Sequence, residues 1–107
     1  MTQKKLARIL KELREGLSKL LGEHLEAVYL YGSQARGDAR PDSDIDVLVV
    51  LRGEFDFSEM HNRTIDLVAA LSLENDAVIT CVFVTKAQYE HEVSPFLLNV
   101  RREAIQA

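Results

Sequence analysis

The sequence predicts a small α/β (α+β) domain: a mixed sheet of about three strands covered by helices. Three observations carry that prediction. The apolar runs Ala27–Tyr31, Val47–Leu51 and Ala77–Thr85 have strand length and are bounded by turn residues. Segments with apolar residues at helical spacing flank them. The order helix, strand, loop, strand, helix, strand, helix suits a sheet covered by helices rather than a bundle. With 107 residues, 47% hydrophobic and 28% charged, the chain is expected to form a single domain, 1–107, with a small core.

The first helix is expected from Thr2 to about Leu21. Leu6, Ile9, Leu10, Leu13, Leu17, Leu20 and Leu21 recur at helical spacing among Lys, Arg and Glu, and Gly22 is a natural stop. Such a helix should cover one sheet face. Strand one follows at about Glu26 to Tyr31, and strand two, Val47-Leu48-Val49-Val50-Leu51, reads as fully buried. Asp56 or Ser58 should cap the next helix, with Glu59 as capping-box partner. That helix runs to about Leu73 and offers Ile65, Leu67, Val68, Leu71 and Leu73 as its apolar side. Strand three, AVITCVFVT, is expected to be central or buried. A short helix from Lys86 to about His91 and a last one started by Ser94-Pro95 complete the chain, with proline at its favoured first position.

Composition excludes several functions. No charge-free apolar run approaches the roughly 18 residues of a membrane span, and the charged N-terminal segment MTQKKLARILKELREG is not that of a signal peptide. The lone Cys81 cannot form an internal disulfide and, within an apolar strand, is expected to be a buried thiol. A reducing cytoplasm fits. A net charge of −4 opposes general nucleic-acid binding, which requires cations to neutralise backbone phosphates. His24 and His61, without ligand-spaced partners, read as surface residues.

Chemistry concentrates in residues 32–46, GSQARGDARPDSDID, a polar loop between strands one and two. Asp44 and Asp46 flank an apolar residue, so in an extended strand both carboxylates face one side. A divalent cation would relieve their repulsion. Hard oxygen ligands suit Mg²⁺, which takes one or two carboxylates together with substrate phosphate oxygens. Gly32 permits a tight turn at the strand end, and Ser33 adds a hydroxyl beside N–H groups that can meet an anion. Arg36 offers a planar guanidinium to phosphate, and one helical turn is expected between Gln34 and Gly37. Pro41 should restrict the approach to the acids. Metal beside phosphate implies a nucleotide.

With Gly32-Ser33, Arg36-Gly37-Asp38, Pro41-Asp42-Ser43 and Asp44-Ile45-Asp46, the loop resembles the signature of the minimal nucleotidyltransferase family of the DNA polymerase beta superfamily. Ser94 to Glu103 resembles the closing helix of its small members. The resemblance implies Mg²⁺-dependent transfer of AMP from ATP to a hydroxyl. Asp44 and Asp46 would be the catalytic metal ligands, and Gly32, Ser33 and Arg36 would bind the nucleotide. Many members are MntA-like antitoxins paired with a HEPN-domain ribonuclease toxin, so the expected acceptor is a toxin tyrosine and the expected assembly a hetero-oligomer. The superfamily's third carboxylate is missing: Val82 stands where it is expected by alignment, and Asp76 could substitute only if strand three begins near the metal. A non-catalytic antitoxin acting by occlusion, with a vestigial site, is the alternative that this departure favours. Nucleotidylation of a small, antibiotic-type molecule is a third reading, weakened by the short chain.

Overall fold

The computed structural model describes residues 1–40 and 44–107. Pro41, Asp42 and Ser43, which the family resemblance included, lie outside the described residues. Helix α1 spans Gln3–Leu21. The Thr2 hydroxyl accepts from Lys5 N–H at its start, and Gly22, at φ 55°, donates to the Ser18 carbonyl at its end. A 3-10 turn at Gly22–His24 leads into β1, Leu25–Tyr31. The helical turn α2, Ser33–Arg36, follows. Then come β2, Ile45–Leu51, α3, Phe57–Glu74, and β3, Ile79–Thr85. The remaining elements are α4, Lys86–His91, α5, Pro95–Glu103, and β4, Ile105–Gln106.

The sheet is mixed and ordered β3-β2-β1-β4. β1 and β2 are antiparallel, with Tyr31 opposite Asp46; β2 and β3 are parallel, joined by the α3 crossover. The fourth strand was not anticipated: Ile105 and Gln106 pair with Leu30 and Tyr29, a two-residue edge too short to carry an alternation signal. β3 is at the edge of the described sheet, not at its centre. Its apolar continuity comes from cover on both faces, which buries Ile79, Phe83 and Val84.

The two faces carry separate cores. On one, Ile9, Leu13, Leu17 and Leu21 of α1 and Met60 and Leu71 of α3 pack on Val28, Leu30, Val47, Val49 and Phe83. On the other, Leu97 and Val100 of α5 pack on Leu48, Val50 and Val84. β2 is buried from Val47 to Leu51 as expected. Two apolar residues expected on the inner side of α3 are outside it: Ile65 is 40% exposed and Leu73 84%. The buried side runs instead through Met60, Thr64 and Leu71, because the Thr64 hydroxyl donates to the Met60 carbonyl and so enters the core satisfied. At the end of α3, Asn75 donates to the Leu71 carbonyl and accepts from Arg8, tying α3 to α1. Asp56, one of the expected caps, accepts from Glu59 N–H.

Candidate active site

The Gly32-Ser33 turn leaves the C-terminal end of β1 where β2 begins on the neighbouring strand. Gly32 is at φ 77°, a conformation that side chains disfavour, and a Cβ there would collide with Asp46 Oδ2. Glycine therefore answers two demands: the turn itself, and the close approach of a carboxylate. Ser33, Gln34 and Ala35 then coil into α2, with Arg36 N–H closing onto the Gly32 carbonyl at 3.0 Å. Among the described residues, the Ser33 N–H and hydroxyl donate to no other group.

An open groove of about 380 Å³ brings Tyr31, Gly32, Ser33, Arg36 and Asp46 together. Its opposite wall is α5, which contributes Phe96, Asn99 and Glu103. Phe96 meets the Tyr31 ring edge-to-face at 5.6 Å. Four of the five expected site residues thus line one cavity. The fifth, Asp44, stands one residue before β2 and is exposed. Its charge still reaches Asp46, whose carboxyl is pushed up mainly by burial, next by Asp44, with Arg36 opposing. Tyr31 is also pushed up, by burial and by the Asp46 charge. Cys81 is raised to about 11 by burial, which keeps it a protonated thiol and not a nucleophile.

These carboxylates fit a divalent cation. Burial and then the Asp44 charge push the Asp46 carboxyl up, a cost that a cation would relieve, and Asp46 opening on the groove, with Asp44 exposed beside it, leaves room for phosphate oxygens in the remaining coordination positions. No group of three His, Cys, Asp or Glu able to hold a metal exists among the described residues.

Residues 10–102 match the family model described as Nucleotidyltransferase domain. The chain belongs to the nucleotidyltransferase domain family. Two Methanocaldococcus jannaschii proteins, each named as a candidate protein adenylyltransferase, are similar to it. One is 33% identical over 78 residues, covering 73% of this chain and 78% of its own. The other is 30% identical over 95 residues, covering 88% and 89%. A solved structure named as a candidate minimal nucleotidyltransferase superposes with a TM-score of 0.66 at 28% identity, over 98% of this chain and 95% of its own. A chain from the complex of a tri-AMPylated Shewanella oneidensis HEPN toxin with an MNT antitoxin shares the fold. Its TM-score is 0.56 at 22% identity, over 99% of this chain and 71% of its own.

Within this nucleotidyltransferase domain the sheet register shows which β3 residues neighbour Asp46. Val82 stands beside Leu48, two residues past Asp46, and packs into the α5-side core. The β3 residue in register with Asp46 is Thr80, which is exposed. Asp76 occupies the turn before β3 at φ 49° and does not line the groove. Sequence reasoning missed Glu103. Its carboxylate accepts from Gly32 N–H at 3.1 Å and from Arg36 Nη1 at 3.2 Å. No local pattern could have found it, since the partners are 71 and 67 residues apart in the chain. Arg36 also donates to Asp38 at 3.2 Å, and its pKa is raised by the hydrogen bonds to Glu103 and then Asp38. Arg101 serves structure: it donates to the Tyr89 and Glu92 carbonyls, fastening α5 to the end of α4.

Proposed function

We propose that this domain moves AMP from ATP to a protein hydroxyl, a tyrosine of a HEPN-type toxin, and so acts as an antitoxin. The carrying observation is the groove in which the Gly32-Ser33 turn and Asp46 face each other at van der Waals range. Donors for phosphate and a carboxylate for a cation meet there, the pairing that transfer from a metal-bound triphosphate requires. The family and the resemblance to protein adenylyltransferases support the reaction class. The fold shared with the toxin–antitoxin complexes, one holding AMP-PNP, supports the partner and nucleotide. No helix of the described residues is long and apolar enough to cross a membrane.

Ser33 N–H and Oγ would hold phosphate oxygens, with Arg36 beside them. Asp44 and Asp46 would bind Mg²⁺, which supplies neutralisation of charge on the triphosphate. Phe96 and Tyr31 form an aromatic wall against which the base can lie. The acceptor oxygen bonds to the α-phosphorus as the bond to the bridging oxygen of pyrophosphate breaks. The products are the AMP ester, pyrophosphate and a proton.

A second reading, silencing by occlusion, draws on one observation: Thr80 occupies the position beside Asp46 where an acid would complete the set. The two separate in one experiment. Complex co-purified with its native partner is incubated with α-labelled ATP, with Mg²⁺ or EDTA, alongside Asp46→Asn. Magnesium-dependent label on the partner, absent in the variant, is the expected result. An intact complex that transfers no label from any nucleotide would leave occlusion as the function.

A further inference from the structure

The groove has one charged wall residue that the proposed reaction leaves without a task. Glu103 ends α5, its side chain only 21% exposed, and the chain on both sides of it is tied down. Ala104 N–H donates to the Val100 carbonyl and Ala107 N–H to the Val28 carbonyl, while Ile105 pairs with Leu30. From this fixed base the carboxylate holds two donors. Oε1 accepts from Gly32 N–H at 3.1 Å and from Arg36 at 3.4 Å, and Oε2 accepts from Arg36 at 3.2 Å. Gly32 carries the strained turn, and Arg36 is otherwise a 47% exposed side chain with Asp38 as its second anchor. A free arginine of that exposure would sample many rotamers.

We propose that Glu103 is a positioning residue for nucleotide binding: it orients the Gly32 backbone and the Arg36 guanidinium in the arrangement that receives the phosphates. This rests on the nucleotide-transfer reading above. Two neighbouring features support it. The anchoring of residues 104–107 to β1 opposes a swing of the carboxylate away from the groove, and the bonds reach a backbone amide as well as a charge. A surface ion pair serving only stability would need neither.

The test uses the full chain with its partner, titrated with Mg²⁺ and AMP-PNP, and the isotope-labelled chain for the Gly32 amide resonance. Glu103→Ala removes both bonds; Glu103→Gln keeps an acceptor for Gly32 N–H but loses the charge that holds Arg36. Loss of a charge-assisted bond predicts about tenfold weaker binding for Glu103→Ala, a smaller loss for Glu103→Gln, and a Gly32 amide shifted further in the alanine variant than in the glutamine variant. With α-labelled ATP, KM should rise more than kcat falls. Arg36→Ala should cost less in the Glu103→Ala background than in the wild type, since the guanidinium is already misplaced. Unchanged affinity in Glu103→Ala, or strictly additive losses, would overturn the proposal. So would tighter binding, which would mean that the carboxylate competes with phosphate. Failure of the wild type itself to bind AMP-PNP would instead overturn the nucleotide reading and, with it, the task assigned to Glu103.

Discussion

At Gly32 a single methyl group meets two obstacles at once: a backbone at φ 77° and the Asp46 carboxylate. Gly32→Ala should therefore cost about 1–2 kcal/mol from the backbone alone. Displacement of Asp46 should add to that, and chemical denaturation with a parallel nucleotide titration would show both losses. Asp46 itself makes a prediction with a sign. Its carboxyl titrates above the ordinary 3.8 because burial and Asp44 disfavour its charge, so the folded protein holds that proton more tightly than the unfolded chain. Stability without metal should then fall as pH rises from the ordinary carboxylate value through the raised one. Asp46→Asn should remove this falling limb, melting higher than the wild type at neutral pH without metal. Added Mg²⁺ should stabilise the wild type by about 2.7 kcal/mol at a hundredfold excess over Kd, raising its Tm but not that of the variant. Thermal melts from pH 4 to 8, with and without Mg²⁺, would check both.

Among the elements, α1 and β3 separate what periodicity reveals from what register decides. The α1 stripe was legible, and its buried members Ile9, Leu13 and Leu17 are fully enclosed while Leu20 is 39% exposed. Leu13→Ala should cost about 2–5 kcal/mol and Leu20→Ala about 0.5 or less, as measured by denaturant unfolding. In α3 the same spacing rule was less specific, because apolar residues surround more of the helix and a hydroxyl that satisfies itself on its own backbone can enter the core as Thr64 does. For β3, composition identified the strand but not its partner positions. The pairing of Asp46 with Thr80 and of Leu48 with Val82 gives opposite expectations for two new acids. Val82→Asp places a carboxylate against an apolar core and should destabilise by about 1–3 kcal/mol or more. Thr80→Asp stays exposed, should fold, and should increase Mg²⁺-dependent transfer.

Across the whole molecule, α1 and α3 close one sheet face and α5 the other. The helix that closes the second face also walls the groove. Folding of the C-terminal segment and completion of the site are therefore one event. Deleting residues 105–107 removes exposed Ile105 and Gln106 and half-buried Ala107 at the margin of one core, but none of the fully buried side chains, so the chain should still unfold cooperatively. Its affinity for AMP-PNP should nonetheless fall, because Glu103 loses the anchor that β4 provides. Calorimetric binding beside a thermal melt would show whether the two effects part in this way. The outer edge of β3 has no partner strand among the described elements, a feature that small sheets commonly cover with another chain.

What the sequence determined by itself was whatever depends on neighbours in the chain. The strand lengths, the α1 stripe, the Asp56 and Ser94 caps, the Gly32 turn, and the Asp44 and Asp46 spacing all arise from side chains within a few residues of one another. Tertiary structure alone decided the pairings of distant residues. Thr80 rather than Val82 stands beside Asp46 because parallel register is set by the α3 crossover. Glu103 meets Gly32 because α5 must cover the second sheet face, and its length brings its last residue to the end of β1. Burial of that face is a property of the whole sheet, and no window of sequence contains it.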